Sequence, residues 1–551
     1  MVSKFAASVL AALGLAVPAA HAPKSAQPKS AQPKSSAAHS SRRQALPAIF
    51  VVGHGWGHGV GLPQYGAYGY ALHGWSFDEI IGHYFPETTL GDTQKKSVRV
   101  LLAPAARRVV VSSRAPFWLR DGAGKKRKLL AGSYAFGPGL RIKLRPAKPA
   151  RKLRPPLLFS AGAAPLALGG RGYRGALRVK PAGRGLQVVN TVALDSYLRG
   201  VVPSEMPNRW PAEALAAQAI VARTYALAHL HGGDFDVYSD TRSQVYGGIA
   251  AEATSSDDAV AETAGQVVLY DGELADTFFY SSSGGRTANV QDVWGGEAVP
   301  YLVSVSDPYD TLSPYHNWGP LRFGSTQLAR KLRVPGKIAD FRANVAPSGR
   351  VRTVTLVGTR GQRTVTGAAV RSALGLRSTW FRLGLLSLTA QTKTVAYGSA
   401  GRLAGVARGT SSVTLEERPY GGSWRSAGRV SVANGAVTVT VHPRQTTDYR
   451  LQSGGFRSGP VRVSVSPTVD LSAGSDFASV SGQAHPVLAG AKVEIQRLQG
   501  STWVTVASTT TNSNGAFAAT LNLSPGSYRA RVTAGHGWAV GVSETLTVVA
   551  P

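Results

Sequence analysis

Cysteine is absent from this 551-residue chain. That absence excludes disulfides, thiolate nucleophiles and thiolate metal ligands together. Methionine occurs only twice, and acids are scarce: 30 Asp and Glu stand against 61 Lys and Arg, a formal charge of +31. Long apolar runs are lacking as well. The most apolar stretch, Phe5 to Val17, is shorter than a bilayer span. What remains is ample aliphatic and aromatic content, in a length that suits about three or four domains. With no disulfides to help, such a chain must rest on its hydrophobic cores.

The shortage of acids is concentrated. Between Lys95 and Gly185 there are 23 Lys and Arg and a single acid, Asp121. A surface of that composition attracts polyanions: nucleic acid, anionic lipid or acidic wall polymers. Zinc spacing, RNP aromatics and an evident helix-turn-helix are all missing there, so nucleic acid is not the expected partner.

At the N-terminus a short basic start, Met1 to Lys4, precedes the apolar Ala-rich run and then small residues. This reads as a signal peptide over 1–22, cut after Ala22 or after Ala19, with an uncleaved anchor as the alternative. Residues 23–45 repeat KSAQP twice and hold almost nothing apolar, so they read as an extended linker. The expected location is therefore secreted, extracellular and wall-associated.

Structured sequence is expected from residue 46. The reading is an α+β fold: a mixed, mostly β catalytic domain over 46–385 with one main helix, Pro211 to Leu230. A basic β-rich part covers 95–186, where segments such as VRVLL, VVVSS and PFWLR alternate between Gly/Pro turns. Ser76 is a natural N-cap for a helix over Phe77 to Tyr84. Two similar segments, 386–466 and 467–551, follow as small all-β, immunoglobulin-like sandwiches. Trp424 aligns with Trp503 and Tyr449 with Tyr528; core and corner roles are expected, with sugar stacking as the alternative.

The chemistry points to Glu205. It lies between Pro203-Ser204 and Met206-Pro207, with Trp210 close behind. The prolines predict a rigid loop after a short helix over Leu194 to Val201. Stiffness and apolar neighbours raise a carboxyl pKa and suit an acid catalyst. The competing reading is a surface glutamate capping the helix that follows. Gln218 and Arg223 on that helix are candidate ligand contacts, although an ion pair within the fold is the commoner fate of such an arginine. Gln244 and Tyr246 lie in a polar loop, SDTRSQVYGG. Tyr280, Ser282, Ser283 and Gly284 form a hydroxyl-rich turn after an apolar strand, with hairpin geometry alone as the plain alternative.

These segments carry a resemblance. LDSYLRGVVPSEMP, WPAEALAAQAIVARTYAL, SDTRSQVYGG, FFYSSSGGRT and PYLVSVSDPYD resemble the stage II sporulation protein D / LytB (amidase enhancer) family, over roughly 46–385. GHGWGHGVGLPQYGAYGYALHGW resembles the family's glycine-histidine segment. The resemblance implies a lytic transglycosylase acting on peptidoglycan glycan strands, with Glu205 as acid/base and His54, His58 and Gln64 as substrate contacts. It equally implies the alternative of a non-catalytic wall protein that enhances a partner amidase. Anionic cell-wall polymers are the other expected partner. In the family the glycine-histidine segment ends the domain; here it begins it, which implies a circular permutation. Pro63 also replaces the usual Ser before Gln64. Some family members hold zinc, but His54 and His58 lack a third ligand, so no metal and no cofactor is expected.

Overall fold

The computed structural model describes residues 47–143, 149–410, 412–475 and 477–549. The expected signal peptide (1–22) and linker (23–45) lie outside the described residues. The fold is mostly β, with 44% strand and 17% helix, spread over many sheets.

The glycine-histidine segment is framed by strand Ala48–His54 and two helices, α1 (Gln64–Leu72) and α2 (Phe77–Tyr84). Ser76 caps α2 through a capping box with Glu79, as its spacing predicts. The short helix expected over Leu194 to Val201 runs further. Helix α3 spans Leu194–Glu205 and contains Pro203. A proline in the last turn costs one backbone bond rather than the helix. Here the Ser204 hydroxyl donates to the Gly200 carbonyl at 3.0 Å, and Met206 N closes the last turn on Val202 O at 2.9 Å. Glu205 is thus the last helical residue, not part of a free loop. Helix α4 (Ala212–Ala228) follows, nearly all of it buried. Helices α1 to α4 share one core, built on Leu194, Tyr197, Leu215, Ile220 and Tyr84.

The basic region forms a seven-stranded sheet faced by a four-stranded one, with Phe117, Leu119, Phe136, Phe159 and Val179 between them. Strand alternation puts Leu177 and Val179 inside while Arg178 and Lys180 face outward. A few of these cations are matched: Arg99 pairs with Asp236 at 2.6 Å, and Arg178 and Lys180 meet Asp234.

Strand Ala48–His54 sits inside a five-stranded antiparallel sheet. Its neighbours are Asn317–Gly324 and Phe381–Ala390, and the sheet continues into Gly401–Arg408 and Ala436–Val441. Phe381–Ala390 therefore runs across residue 385, and one sheet holds strands from both sides of it. Phe50 stacks on Phe456 at 3.7 Å inside the core that also holds Leu388, Leu415 and Tyr449. In the second repeat Val493, Phe517 and Tyr528 form a separate core.

Tyr449 and Tyr528 are buried, but Trp424 and Trp503 are not core residues. Each lies half-buried under arginine: Arg450 is 3.9 Å from the Trp424 ring and Arg529 4.2 Å from that of Trp503. Arg529 follows Tyr528 in its strand and so points to the opposite face.

Candidate active site

Glu205 is carried at the C-terminal end of α3, and two separate pieces of chain close on it. The loop after Tyr238 crosses α3 at Gly200, where a Cβ would meet the Tyr246 ring at 2.7 Å, and Gly247 N bonds Gly200 O at 2.9 Å. That crossing delivers Val245 N to Glu205 Oε1 at 3.5 Å. From the other side, strand pair Leu62–Pro63 and Phe279–Tyr280 starts α1, whose first residue, Gln64, points Nε2 at Glu205 Oε2, also at 3.5 Å. Both contacts are long, as catalytic hydrogen bonds often are before substrate binds.

These two donors are the hydrogen-bond partners of the carboxyl among the described residues, and no cation or second acid is paired with it. Burial raises its pKa; the Val245 and Gln64 bonds, which favour the ionised form, oppose that rise. The other nearby acids are engaged elsewhere. Glu213 caps α2 by accepting Phe77 N at 2.7 Å, Asp195 meets Arg223 at 3.1 Å, and Asp240 meets Arg242 at 2.8 Å. Glu205 accepts no N–H of α4, so it does not act as that helix's cap. Aromatic rings stand next to Gln64. Tyr68 stacks on Trp210 at 4.6 Å and Tyr65, next to Gln64, meets Trp210 at 5.0 Å. Tyr225 is pushed up to about 12 by burial first, then by Asp276 and Glu205.

Most other expected contact residues turn inward. Arg223 is fully buried and clamps Gln266 O, Val260 O and Asp195. Gln244 bonds Tyr197 and Ala222 O, and the Tyr246 hydroxyl donates to Asn190. Gln218 is fully buried, and neither end of its amide has a partner among the described residues; nothing in the structure explains it. Tyr280 is buried beneath Gly57. Gln218, Arg223, Gln244, Tyr246 and Tyr280 are thus buried side chains, not the exposed contacts expected. In the loop Gln244-Val245-Tyr246 it is the middle residue, through its backbone N–H, that reaches Glu205.

The hydroxyl-rich turn has a different occupant from the one expected. Ser282 Oγ, Ser283 N and Gly284 N all donate to the buried Asp310 carboxylate at 2.8 to 3.0 Å, and His316 Nδ1 joins them at 3.0 Å. The turn is a cradle for a side chain of its own fold, so Ser282, Ser283 and Gly284 are support groups. Neighbouring Asp307 is also buried. Its carboxyl and the Tyr84 hydroxyl face each other. A Cβ at Gly66 would overlap both groups, which is why α1 carries glycine there. Burial pushes Asp307 up to about 7, and the charge of Asp310 adds to the rise.

His54 and His58 do not meet Glu205. His54 packs on the Trp380 ring at 4.9 Å. His58 Nδ1 accepts from Val60 N at 3.2 Å, so its proton sits on Nε2, which donates to Phe279 O at 3.0 Å. Burial lowers its pKa to about 3, leaving it neutral. With both its ring nitrogens used, His58 has no lone pair free for a metal. A cavity of about 370 Å3 lies beside His58, lined also by Trp294, Arg352 and Arg371.

The same motifs recur in known proteins. The profile described as "SpoIID: Stage II sporulation protein" matches residues 182–270, which include α3, Glu205 and α4. This stretch of the chain is a SpoIID/LytB-family domain. It is 30% identical over 220 residues to stage II sporulation protein D of Bacillus subtilis, covering 35% of this chain and 61% of that protein. It is 40% identical over 113 residues to the amidase enhancer of the same organism, 20% of this chain and 15% of that one. An uncharacterized protein of Brachyspira hyodysenteriae is 40% identical over 142 residues, 25% and 38% respectively. The chain with this SpoIID/LytB domain thus spans less than two thirds of each. Among solved structures, a two-domain fibronectin type-III segment from chicken tenascin covers 30% of this chain and 95% of its own. It is 13% identical with a TM-score of 0.20, too low to bear on the fold.

Proposed function

We propose that this chain is a secreted peptidoglycan lytic transglycosylase in which Glu205 is the single acid/base. One observation carries the reading: a partly buried carboxyl at a helix end, raised in pKa, with only Gln64 and Val245 as hydrogen-bond donors and no counter-ion among the described residues. A hydrolase needs two carboxylates across the scissile bond. A transglycosylase manages with one. Protonated Glu205 gives its proton to the bridging glycosidic oxygen as the C1–O bond of the muramic residue breaks. The carboxylate then takes the proton from that residue's C6 hydroxyl, whose oxygen bonds to C1. The product is a 1,6-anhydro end, the carboxyl is again protonated, and no water is consumed. The N–H groups of Gln64 and Val245 stabilise the carboxylate between the two transfers.

The basic sheet over 95–186 holds the protein to anionic wall polymers in this reading. The segments 386–466 and 467–551, read as immunoglobulin-like sandwiches, act as spacers or adhesion modules. A second reading is favoured by the 40% match to a protein named amidase enhancer: the same cleft binds glycan without turnover and assists a wall amidase. Purified protein incubated with stripped glycan strands separates the two. Mass spectrometry is expected to find 1,6-anhydro ends, reduced about 1000-fold or more in Glu205→Gln. Folded protein that makes no anhydro ends, or Glu205→Gln that makes them at the same rate, overturns the enzyme reading.

A further inference from the structure

A second aromatic group stands where strand Ala48–His54 and its neighbour Asn317–Gly324 end side by side, His54 being paired with Asn317. Trp56 and Tyr315 meet edge to face at 4.4 Å. The Arg377 guanidinium lies 4.4 Å from the Tyr315 ring and 4.9 Å from the Trp56 ring. All three side chains are half-exposed. Backbone bonds hold the group rigidly: Gly57 N to Arg377 O at 3.1 Å and Gly55 N to Tyr315 O at 2.9 Å.

Arg377 rests on rings rather than on a carboxylate. Its guanidinium makes no hydrogen bond and no ion pair among the described residues, whereas Arg99, Arg174, Arg242, Arg352 and Arg408 each hold a carboxylate. A cation resting on ring faces is oriented by them, and its in-plane N–H fork stays free. That fork matches a carboxylate bidentately.

The group is tied to the Glu205 site by short connections. Trp56 and Ser282 exchange backbone bonds at 2.8 and 3.0 Å, and the preceding residue, Ser281, accepts Tyr65 N at 2.9 Å. Trp56 and Tyr65 are therefore anchored on adjacent residues, at most about 15 Å apart by backbone geometry. Tyr65 itself follows Gln64, the donor to Glu205. Burial and then the phenol of Tyr315 raise the pKa of Tyr65. Aromatic groups thus run from Trp210 and Tyr65 to Tyr315 and Trp56, with a free guanidinium at the end.

We propose that Trp56, Tyr315 and Arg377 form a sugar subsite that extends the Glu205 site, in which the rings pack against an aminosugar and Arg377 binds a carboxylate that the sugar carries. This rests on the reading of the chain as a glycan-strand protein. In peptidoglycan the carboxylate has two sources: the lactyl group of a muramic residue freed of its peptide, or a stem peptide still attached.

Binding is measured with Glu205→Gln, which keeps the ligand intact, using three probes. These are stripped glycan strands, strands with stem peptides, and chitin oligosaccharides, which lack any carboxylate. Adding Arg377→Gln is expected to weaken stripped strands about tenfold, one bidentate contact, while leaving chitin oligosaccharides unchanged. A loss confined to peptide-bearing strands assigns the carboxylate to the stem peptide instead. Equal loss for all three probes, or no loss for any, overturns the subsite. Parent protein that binds none of the three overturns the glycan reading beneath it. If Arg377→Gln folds poorly, Arg377→Lys keeps the charge without the fork. It is then expected to give a smaller loss on carboxylate-bearing probes alone, and equal affinity for all probes relative to the parent overturns the subsite in the same way.

Discussion

Gln64 Nε2 lies 3.5 Å from Glu205 Oε2 across 141 residues of chain. The glycine-histidine segment opens the described chain, yet its first helix packs on α4 and points Gln64 at the end of α3. Being first in sequence does not prevent the segment from completing the site, because Leu62–Pro63 pairs in parallel with Phe279–Tyr280 and sets where α1 begins.

That contact has a pH signature. The Gln64 bond favours the ionised carboxyl, so its removal raises the Glu205 pKa further. The leaving group needs the protonated form, so activity falls as pH rises through that pKa. Gln64→Ala is therefore expected to move the alkaline fall of kcat to higher pH, with kcat itself down roughly ten- to a hundredfold from lost positioning. A pH–rate profile of anhydro-end release checks both.

Asp310 is the most heavily used acid in the structure. It takes Ser282, Ser283 N, Gly284 N and His316, and so joins the strand that anchors Trp56 and Tyr65 to the segment that carries Tyr315. Asp310→Ala leaves those buried donors unmatched and is expected to cost about 3–5 kcal/mol. Hydrogen exchange should show protection lost first around residues 281–285 and 313–316, with the second repeat unaffected.

Asp307 makes the opposite prediction. Its folded pKa is raised from 3.8 to about 7, so the folded state holds the proton more tightly than the unfolded one. Its burdens are absent below pH 3.8, grow as pH rises toward 7, and level off above. Asp307→Asn is expected to be more stable than the parent at pH 8, by on the order of 2 kcal/mol, and no more stable at pH 3.5. Urea unfolding at the two pH values checks the difference.

The basic sheet is expected to govern wall retention. Exposed charges act through a screening length of about 3 Å at 1 M salt against 8 Å at physiological strength. Binding to purified wall carrying anionic polymers should therefore fall steeply between those conditions. Walls stripped of the polymers should hold much less protein at either.

Much of the local structure was legible in the chain. The α2 cap, the main helix and the alternating basic strands follow from periodicity and capping chemistry, which act over a few residues. Pro203 misled because a proline's cost depends on its place in a helix, and the last turn tolerates it once Ser204 bonds back. The inward turn of Gln244, Tyr246 and Arg223 was not legible, because polar residues do not announce whether their partners are solvent, ligand or protein. SDPYD held the clue to the missed hub: two acids three apart beside a Ser-Ser-Gly-Gly turn.

By itself the sequence determined the local setting of Glu205, since the prolines and apolar residues around it are covalent neighbours and travel with it. Only the tertiary structure decided what faces that acid. Gln64 and the Val245 N–H come from 141 and 40 residues away, and they meet Glu205 only because strand register and helix packing place their backbones within reach of it.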